Sequence, residues 1–305
     1  MKKYLLKIAL FFVLMAMIDV ACGWAFDMLR SRLKGGRSYK NEYIKNVCKE
    51  DILVLGSSKA DHHYVPSVFE DSLGYTCYNA GEMGCGIIPA YLRYKIVSQR
   101  HKPKLVLYEV TPKYDYLQDN GYSHYLGGIR PYASDPVIKP VYLDFSDNLE
   151  SMRLLSNMYL NNSCIINLLK DLLKPTPDEK GYEPLFGRIN PKLIKNKQNK
   201  ESREIIIDSL KYNYVVRLIE DTKYDKVPIV FIISPSVKQV NDVSDYEPMF
   251  ELCQKYNVPI INNISCESFV GESKYYQDLI HLNHEGAIAY SNYILPQIKT
   301  YLNNN

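Results

Sequence analysis

The hydropathy pattern divides the chain into three stretches of different character. Residues 8–26 are apolar except for Asp19 and come after Met1-Lys2-Lys3. That length can just cross the apolar core of a bilayer. Farther on, short apolar runs at 51–56, 76–79, 104–110, 227–233 and 259–261 have the length of buried strands. Between them, residues 87–99, 201–223, 246–256 and 284–302 are expected to be helical. In 87–99 the apolar positions Ile88, Tyr91, Leu92, Ile96 and Val97 keep helical spacing. Alternation of strand and helix predicts an open, mostly parallel sheet with helices on its faces. Residues 113–200 interrupt it. They are rich in Tyr, Asn, Asp, Lys and Pro and are read as a partly helical insertion or cap, with one helical stretch at 149–173 and a polar, mobile section at 175–200. The expected organisation is an N-terminal segment at 1–26, a linker at 27–50 and an α/β domain at 51–305 with its insertion at 113–200.

The N-terminal segment is an export signal or a membrane anchor and stands outside the fold. Gly23 and Ala25 offer small residues for cleavage, and a lipoprotein site at Cys22 is disfavoured by Asp19. The length favours an anchor that is kept. Positive charge lies on both sides, with Lys2, Lys3 and Lys7 before the segment and Arg30, Arg32, Lys34, Arg37, Lys40 and Lys45 after it. Charge alone would leave the large domain in the cytoplasm. A signal-like N-terminus, however, exports the domain behind it. The expectation is an anchored protein with its α/β domain on the periplasmic or extracellular side.

Composition narrows the partners. The chain has 305 residues, 46% of them hydrophobic and 23% charged, enough to bury a large core. A net charge of +3 without a dense Lys/Arg stripe gives no nucleic-acid surface. The 27 tyrosines suit either carbohydrate-stacking surfaces or ordinary amphipathic filling of cores. The seven cysteines (22, 48, 77, 85, 164, 253 and 266) form no CxxC pair and no zinc spacing with histidine. Cys77 and Cys85 could pair in an oxidising compartment, and buried free thiols are the simpler reading.

Two motifs carry the candidate chemistry. Gly56-Ser57-Ser58 closes the first strand, and Asp278-Leu-Ile-His281-Leu-Asn283 precedes the last helix. A serine hydroxyl becomes a nucleophile when a base takes its proton, and that base needs a third group to hold its tautomer. Asp278 and His281 can act as orienter and base from one loop. Ser58 falls at the carboxyl end of a strand, where open α/β sheets place ligands. Backbone N–H groups of Ser58 and Gly84 could receive the charge of a tetrahedral intermediate. Gly-Ser-Ser after a strand also suits an ordinary turn or a phosphate-holding loop. There is no GxxxxGK[ST], no GxGxxG and no GxSxG. Two other groupings carry weaker signals. Asp61-His62-His63 is disfavoured as a metal site, and one of the three is expected to border the active-site mouth. Glu109 and Asp115 resemble a glycosidase pair and read more simply as solvated or capping residues.

The order of these elements resembles that of the SGNH (GDSL-like) hydrolase superfamily, over most of 51–115 and 225–302. That resemblance implies a flavodoxin-like three-layer α/β/α fold with a central parallel sheet. It implies Ser58 as nucleophile, Asp278 and His281 as its partners, and Ser58 and Gly84 as oxyanion-hole donors, with no cofactor and no metal. The family's Gly-x-Asn-Asp block should come after the strand ending at Val110, and no asparagine stands there. The loss of that donor is worth about 3 kcal/mol of transition-state stabilisation unless another group substitutes. Gly-Ser-Ser without the asparagine resembles the membrane-anchored branch, which includes the D-alanyl-transfer protein of the teichoic acid pathway and proteins linked to O-acetylation of extracellular polysaccharide. The implied substrate is an acyl ester, such as acetyl, on a cell-envelope or exported glycan, or a small ester. The alternative is a weak or inactive scaffold that binds glycan or an envelope-biosynthesis partner through the insertion.

Overall fold

The computed structural model describes residues 1–119, 121–195 and 205–302. Its apolar runs form β1 (Ile52–Gly56), β2 (Cys77–Asn79), β3 (Leu105–Glu109), β4 (Ile229–Ile233) and β5 (Ile260–Asn262). All pairings are parallel, in the order β2-β1-β3-β4-β5. Every residue of β1, β3 and β4 is buried, as expected of strands covered on both faces. On one face Ile52, Val54, Leu107 and Ile232 pack with Phe69 of the Pro66–Leu73 helix and with Tyr290, Ile294 and Ile298 of the His284–Leu302 helix. The alternate residues Leu53, Leu55, Val106, Tyr108 and Phe231 are also buried and point to the opposite face. Helices Ile87–Ser98 and Ser209–Tyr224 meet there, with Tyr91 and Tyr214 edge-to-face at 5.1 Å. Each such apolar side chain contributes about 1.5–3 kcal/mol by leaving water. The result is the expected three-layer, flavodoxin-like α/β/α fold.

That strand order reverses direction between β1 and β3, which opens a crevice at their carboxyl ends. Gly56 and Glu109 are register partners there. Gly56 has φ +135°, and a Cβ on it would lie 2.6 Å from the Glu109 carbonyl oxygen. Only glycine fits this turn without strain. The chain passes through Ser57 directly into the Ser58–His63 helix, so Ser58 opens that helix at the crevice.

Contacts divide the chain into two units. One comprises Ile44–Asn120 with Glu179–Asn305 and contains the whole sheet. The other comprises Met1–Tyr43 with Gly121–Asp178, so its boundaries at Gly121 and Asp178 lie inside the 113–200 insertion read from the sequence. In this second unit the apolar segment is one helix, Lys2–Arg30, longer than the 8–26 expected from hydropathy. Asp19 does not point idly from it. Its carboxylate accepts from Ser156 Oγ at 2.6 Å, Asn157 N at 2.8 Å, Asn157 Nδ2 at 3.0 Å and Met158 N at 3.0 Å.

Two expected helices differ. The single stretch at 149–173 is three short helices, Glu150–Arg153, Asn157–Asn161 and Ile165–Leu173. Ser156 caps the middle one by accepting from Tyr159 N, and the polar run Asn161-Asn162-Ser163 ends it. The helix expected from 201 begins at Ser209, because Asp208 accepts from Leu210 N and Lys211 N as its N-cap. Residues 201–204 of that expectation, and 196–200 of the expected mobile section, lie outside the described residues. All seven cysteines are free thiols, so Cys77 and Cys85 are not bridged.

Candidate active site

The two distant motifs come together at the crevice. His281 Nε2 lies 2.8 Å from Ser58 Oγ, and His281 Nδ1 lies 2.8 Å from Asp278 Oδ2. Asp278 is itself fixed, because its Oδ1 accepts from Ile280 N at 2.7 Å and His281 N at 2.8 Å. A carboxylate so held requires Nδ1 to carry the imidazole proton. Nε2 then presents its lone pair to the serine hydroxyl, which is the arrangement a general base needs.

The electrostatics agree with that arrangement. Burial pushes His281 below the ordinary histidine value; the bond to Asp278 opposes the shift, and nearby His62 and Lys59 add to it. Burial raises Asp278, but the bonds from the His281 ring and the Ile280 and His281 amides outweigh it, leaving the carboxyl below its usual range. The imidazole is therefore neutral and the carboxylate charged near neutral pH.

The loop after β2 is defined by where its amides go. Gly81 N donates to Asn79 Oδ1, Glu82 N to the Gly56 carbonyl, Met83 N to Asp61 Oδ2 and Cys85 N to the Glu82 carbonyl. Among the described residues, Gly84 alone in this run keeps its N–H without a partner. Gly84 has φ +74°. Ser58 N, at the start of its helix, also has no intrahelical acceptor. At the missing-asparagine position, Thr111 Oγ1 accepts from Ser57 Oγ at 3.2 Å, and Thr111 N donates to Asp115 Oδ2 at 2.6 Å.

Glu109 and Asp115 are not solvated, although Asp115 does cap the turn after β3 by accepting from Thr111 N. Both are buried. Asp115 braces its own loop, accepting from Thr111 N and from Tyr108 Oη, and burial raises its pKa to about 7. Glu109 accepts from Tyr64 Oη and from both N and Oγ of Ser234. Burial raises its pKa, and the Lys59 ammonium beside it opposes the rise.

His62 and His63 have no individual role legible in the sequence, and their positions are informative. His63 Nε2 accepts the Leu282 N–H at 3.0 Å, so that nitrogen carries no proton. Its Nδ1–H therefore donates to Ser234 Oγ at 2.8 Å, and Ser234 Oγ–H donates to Glu109 Oε1 at 2.7 Å. This chain of bonds joins the ends of β3 and β4 to the residue after the candidate base. His62 Nδ1 donates to the Glu183 carbonyl at 2.7 Å, and its ring stands edge-on to His281 at 5.4 Å. The Glu183 carboxylate also completes a grouping with Asp61 and His62 whose ligand atoms lie within 4.8 Å of one another. In it the Asp61 carboxylate is already engaged by the Met83 amide. Sequence order gave no signal for any of these partners, since they are separated by 22 to 219 positions.

No family model matches the sequence, and no match is found among curated proteins. The fold is similar to that of solved structures. One is a GDSL-like lipase from Bacteroides thetaiotaomicron, at 11% identity and a TM-score of 0.41, covering 87% of this chain and 98% of that one. Another is a mutant of an acetyl-xylooligosaccharide esterase from Geobacillus, at 11% identity and a TM-score of 0.41, covering 83% of this chain and 96% of that one. These are distant likenesses of fold, and the chemistry is carried by the geometry around Ser58.

Proposed function

We propose that the protein is a serine ester hydrolase or acyltransferase of SGNH type, with Ser58 as nucleophile, His281 as general base and acid, and Asp278 as its orienter. The observation that carries the reading is the continuous relay from Ser58 Oγ through the two ring nitrogens of His281 to Asp278, each step 2.8 Å. Ser58 Oγ attacks the ester carbonyl as His281 Nε2 takes its proton. The Ser58 and Gly84 amides receive the oxyanion. His281 then returns the proton to the departing alkoxide, leaving an acyl-serine. Water or an acceptor hydroxyl attacks that acyl group, with His281 again as base, and Ser58 is regenerated.

The substrate is an acyl ester, acetyl being the simplest, on an exported or cell-envelope glycan. The chain is held at the membrane by its N-terminal helix, with the sheet-bearing unit on the outer side of the membrane. Support for the anchor is the length and apolarity of Lys2–Arg30. The competing reading is an inert scaffold that binds glycan, and its motive is the missing asparagine.

One assay separates them. The full-length chain is expected to hydrolyse a small activated acetyl ester, with Ser58→Ala and His281→Ala each lowering kcat by about a million-fold. Equal, background-level rates for all three proteins, with acetylated glycan still bound, would overturn the enzyme in favour of the scaffold.

A further inference from the structure

Within the N-terminal unit, the segment that receives Asp19 has an apolar surface of its own. Leu155, Ile166 and Leu173 are each 80% exposed, and Met152 is 70% exposed. Ile166, Leu169 and Leu173 form one outward stripe on the Ile165–Leu173 helix, while Leu168 and Asp171 face inward. Asp171 is the only acidic residue of that helix, and its carboxylate accepts the Ser38 N–H at 2.8 Å. The outer side therefore presents Ile166, Leu169 and Leu173 with Asn167, Lys170 and Lys174, and no acid among them.

This surface is continuous with the long apolar helix. Besides the four bonds to Asp19, the Asn157 side chain lies so close to Gly23 that a Cβ there would be 2.8 Å from it. Asp19 and Gly23 are one helical turn apart, so they make a single notch into which residues 156–158 fit. The Ile165–Leu173 helix touches the long helix as well. At 1.5 Å per residue, Asp19 lies about 10 Å along the axis from Phe26, the far end of the apolar stretch, which is about the depth to which an interfacial helix sinks. Trp24, one turn and a residue farther, is 74% exposed and falls in the zone where tryptophan favours the membrane–water boundary.

We propose that residues 149–173 form a lipid-facing collar, clamped to the membrane span at Asp19 and Gly23 and seated in the interface of the same bilayer. The collar rests on the reading of Lys2–Arg30 as a span, and it adds a second membrane contact that hydropathy does not reveal. The occupant is lipid because the segment is bonded to the apolar span at Asp19 and its helices pack beside that span, and because the charged residues it exposes, Arg153 and Lys170, are basic while Glu150 and Asp171 are buried. Such a helix, with apolar residues on one side and lysines at its border, lies in the plane of an anionic surface. Asp19 does not break the span. Its four donors reach it about 10 Å inside the end of the apolar stretch and spare the carboxylate the cost of an unpaired charge in lipid.

The single tryptophan of the chain makes the test direct. The full-length protein is reconstituted in phosphatidylcholine–phosphatidylglycerol vesicles, with and without lipids brominated on the acyl chain near the glycerol. Trp24 emission reports the span. In a Trp24→Phe background, Leu155→Trp, Ile166→Trp and Leu173→Trp report the collar, and Tyr224→Trp, at a position 88% exposed in the other unit, reports water. The expected result is that Trp24 and the three collar tryptophans lose much of their emission to brominated lipid and are shielded from iodide, while Tyr224→Trp shows the reverse. Quenching of Trp24 by lipid with collar tryptophans open to iodide would overturn the collar and leave the span standing. Collar tryptophans shielded from iodide yet unquenched by lipid would assign the surface to a protein partner, and would also overturn it. A Trp24 that brominated lipid does not quench would remove the span and the collar together.

Discussion

Glu109 and Asp19 are both carboxylates set into apolar elements, and the two units use them differently. Glu109 ends a strand with no exposed residue, and its donors are side chains and one amide of the same unit: Tyr64 and Ser234. Asp19 interrupts a helix whose other side chains are nearly all turned outward, and its donors come from a segment 137 to 139 positions away. In the sheet-bearing unit the carboxylate organises a buried polar chain that reaches the residue beside the candidate base. In the N-terminal unit it fastens one apolar surface to another and leaves both outside. A buried charge is retained only when fully bonded, and here the bonding partners reveal what each charge is for.

Breaking the catalytic side gives the largest effects, beginning with the loss of ester hydrolysis in Ser58→Ala and His281→Ala. His63→Phe tests the polar chain behind them. Without the Nε2 acceptor, the Leu282 amide is unpaired and the His281 loop shifts; since a small misplacement of a reacting group costs about a hundredfold, kcat should fall by about that factor with KM nearly unchanged. A fall in thermal stability with kcat intact would instead make His63 merely structural. On the other side, Asp19→Leu leaves the Ser156 hydroxyl, two backbone amides and the Asn157 side-chain amide without their acceptor, at a cost of about 1–3 kcal/mol to that unit. Limited proteolysis within 149–173 should accelerate while ester hydrolysis by the sheet-bearing unit stays at the level of the parent protein. A parallel loss of hydrolysis would show that the two carboxylates do not serve separate units.

The smallest effects are those of pH. His281 must be neutral to accept the serine proton, and its pKa lies below 6.5, so kcat/KM should fall on acidification with a midpoint below that value. His63 and His281 both have folded values below 6.5, chiefly through burial. Below 6.5 the unfolded chain therefore binds more protons, and stability should drop as pH falls, by at most about 1.4 kcal/mol per pH unit for each group. Denaturant midpoints between neutral and mildly acid pH check this, and His63→Phe should flatten the slope.

Much of the sheet was legible because strands buried on both faces read as plain apolar runs, and the loop of Asp278 and His281 because its spacing is local. The bracing of that loop was not legible. His63 meets Leu282 across 219 positions, and Ser234 looks in sequence like the ordinary end of a strand. Gly84 was placed by resemblance, and only the partners of the amides around it distinguish its N–H from those of Gly81, Glu82, Met83 and Cys85. The helix expected at 149–173 failed for a physical reason: Ser156 and the Asn161–Ser163 run offer side-chain acceptors and donors that end helical turns. Asp19 read as a blemish in an apolar segment because its partners lie so far along the chain.

The central claim is that Ser58 becomes acylated with His281 as base, and covalent trapping tests it most directly. The full-length protein is treated with a small fluorophosphonate and digested, and its peptides are weighed. A single phosphonyl adduct on Ser58 is predicted, absent from Ser58→Ala and strongly slowed in His281→Ala. An unlabelled Ser58, or an adduct at Ser57 or Ser234 with hydrolysis persisting in Ser58→Ala, would contradict the account.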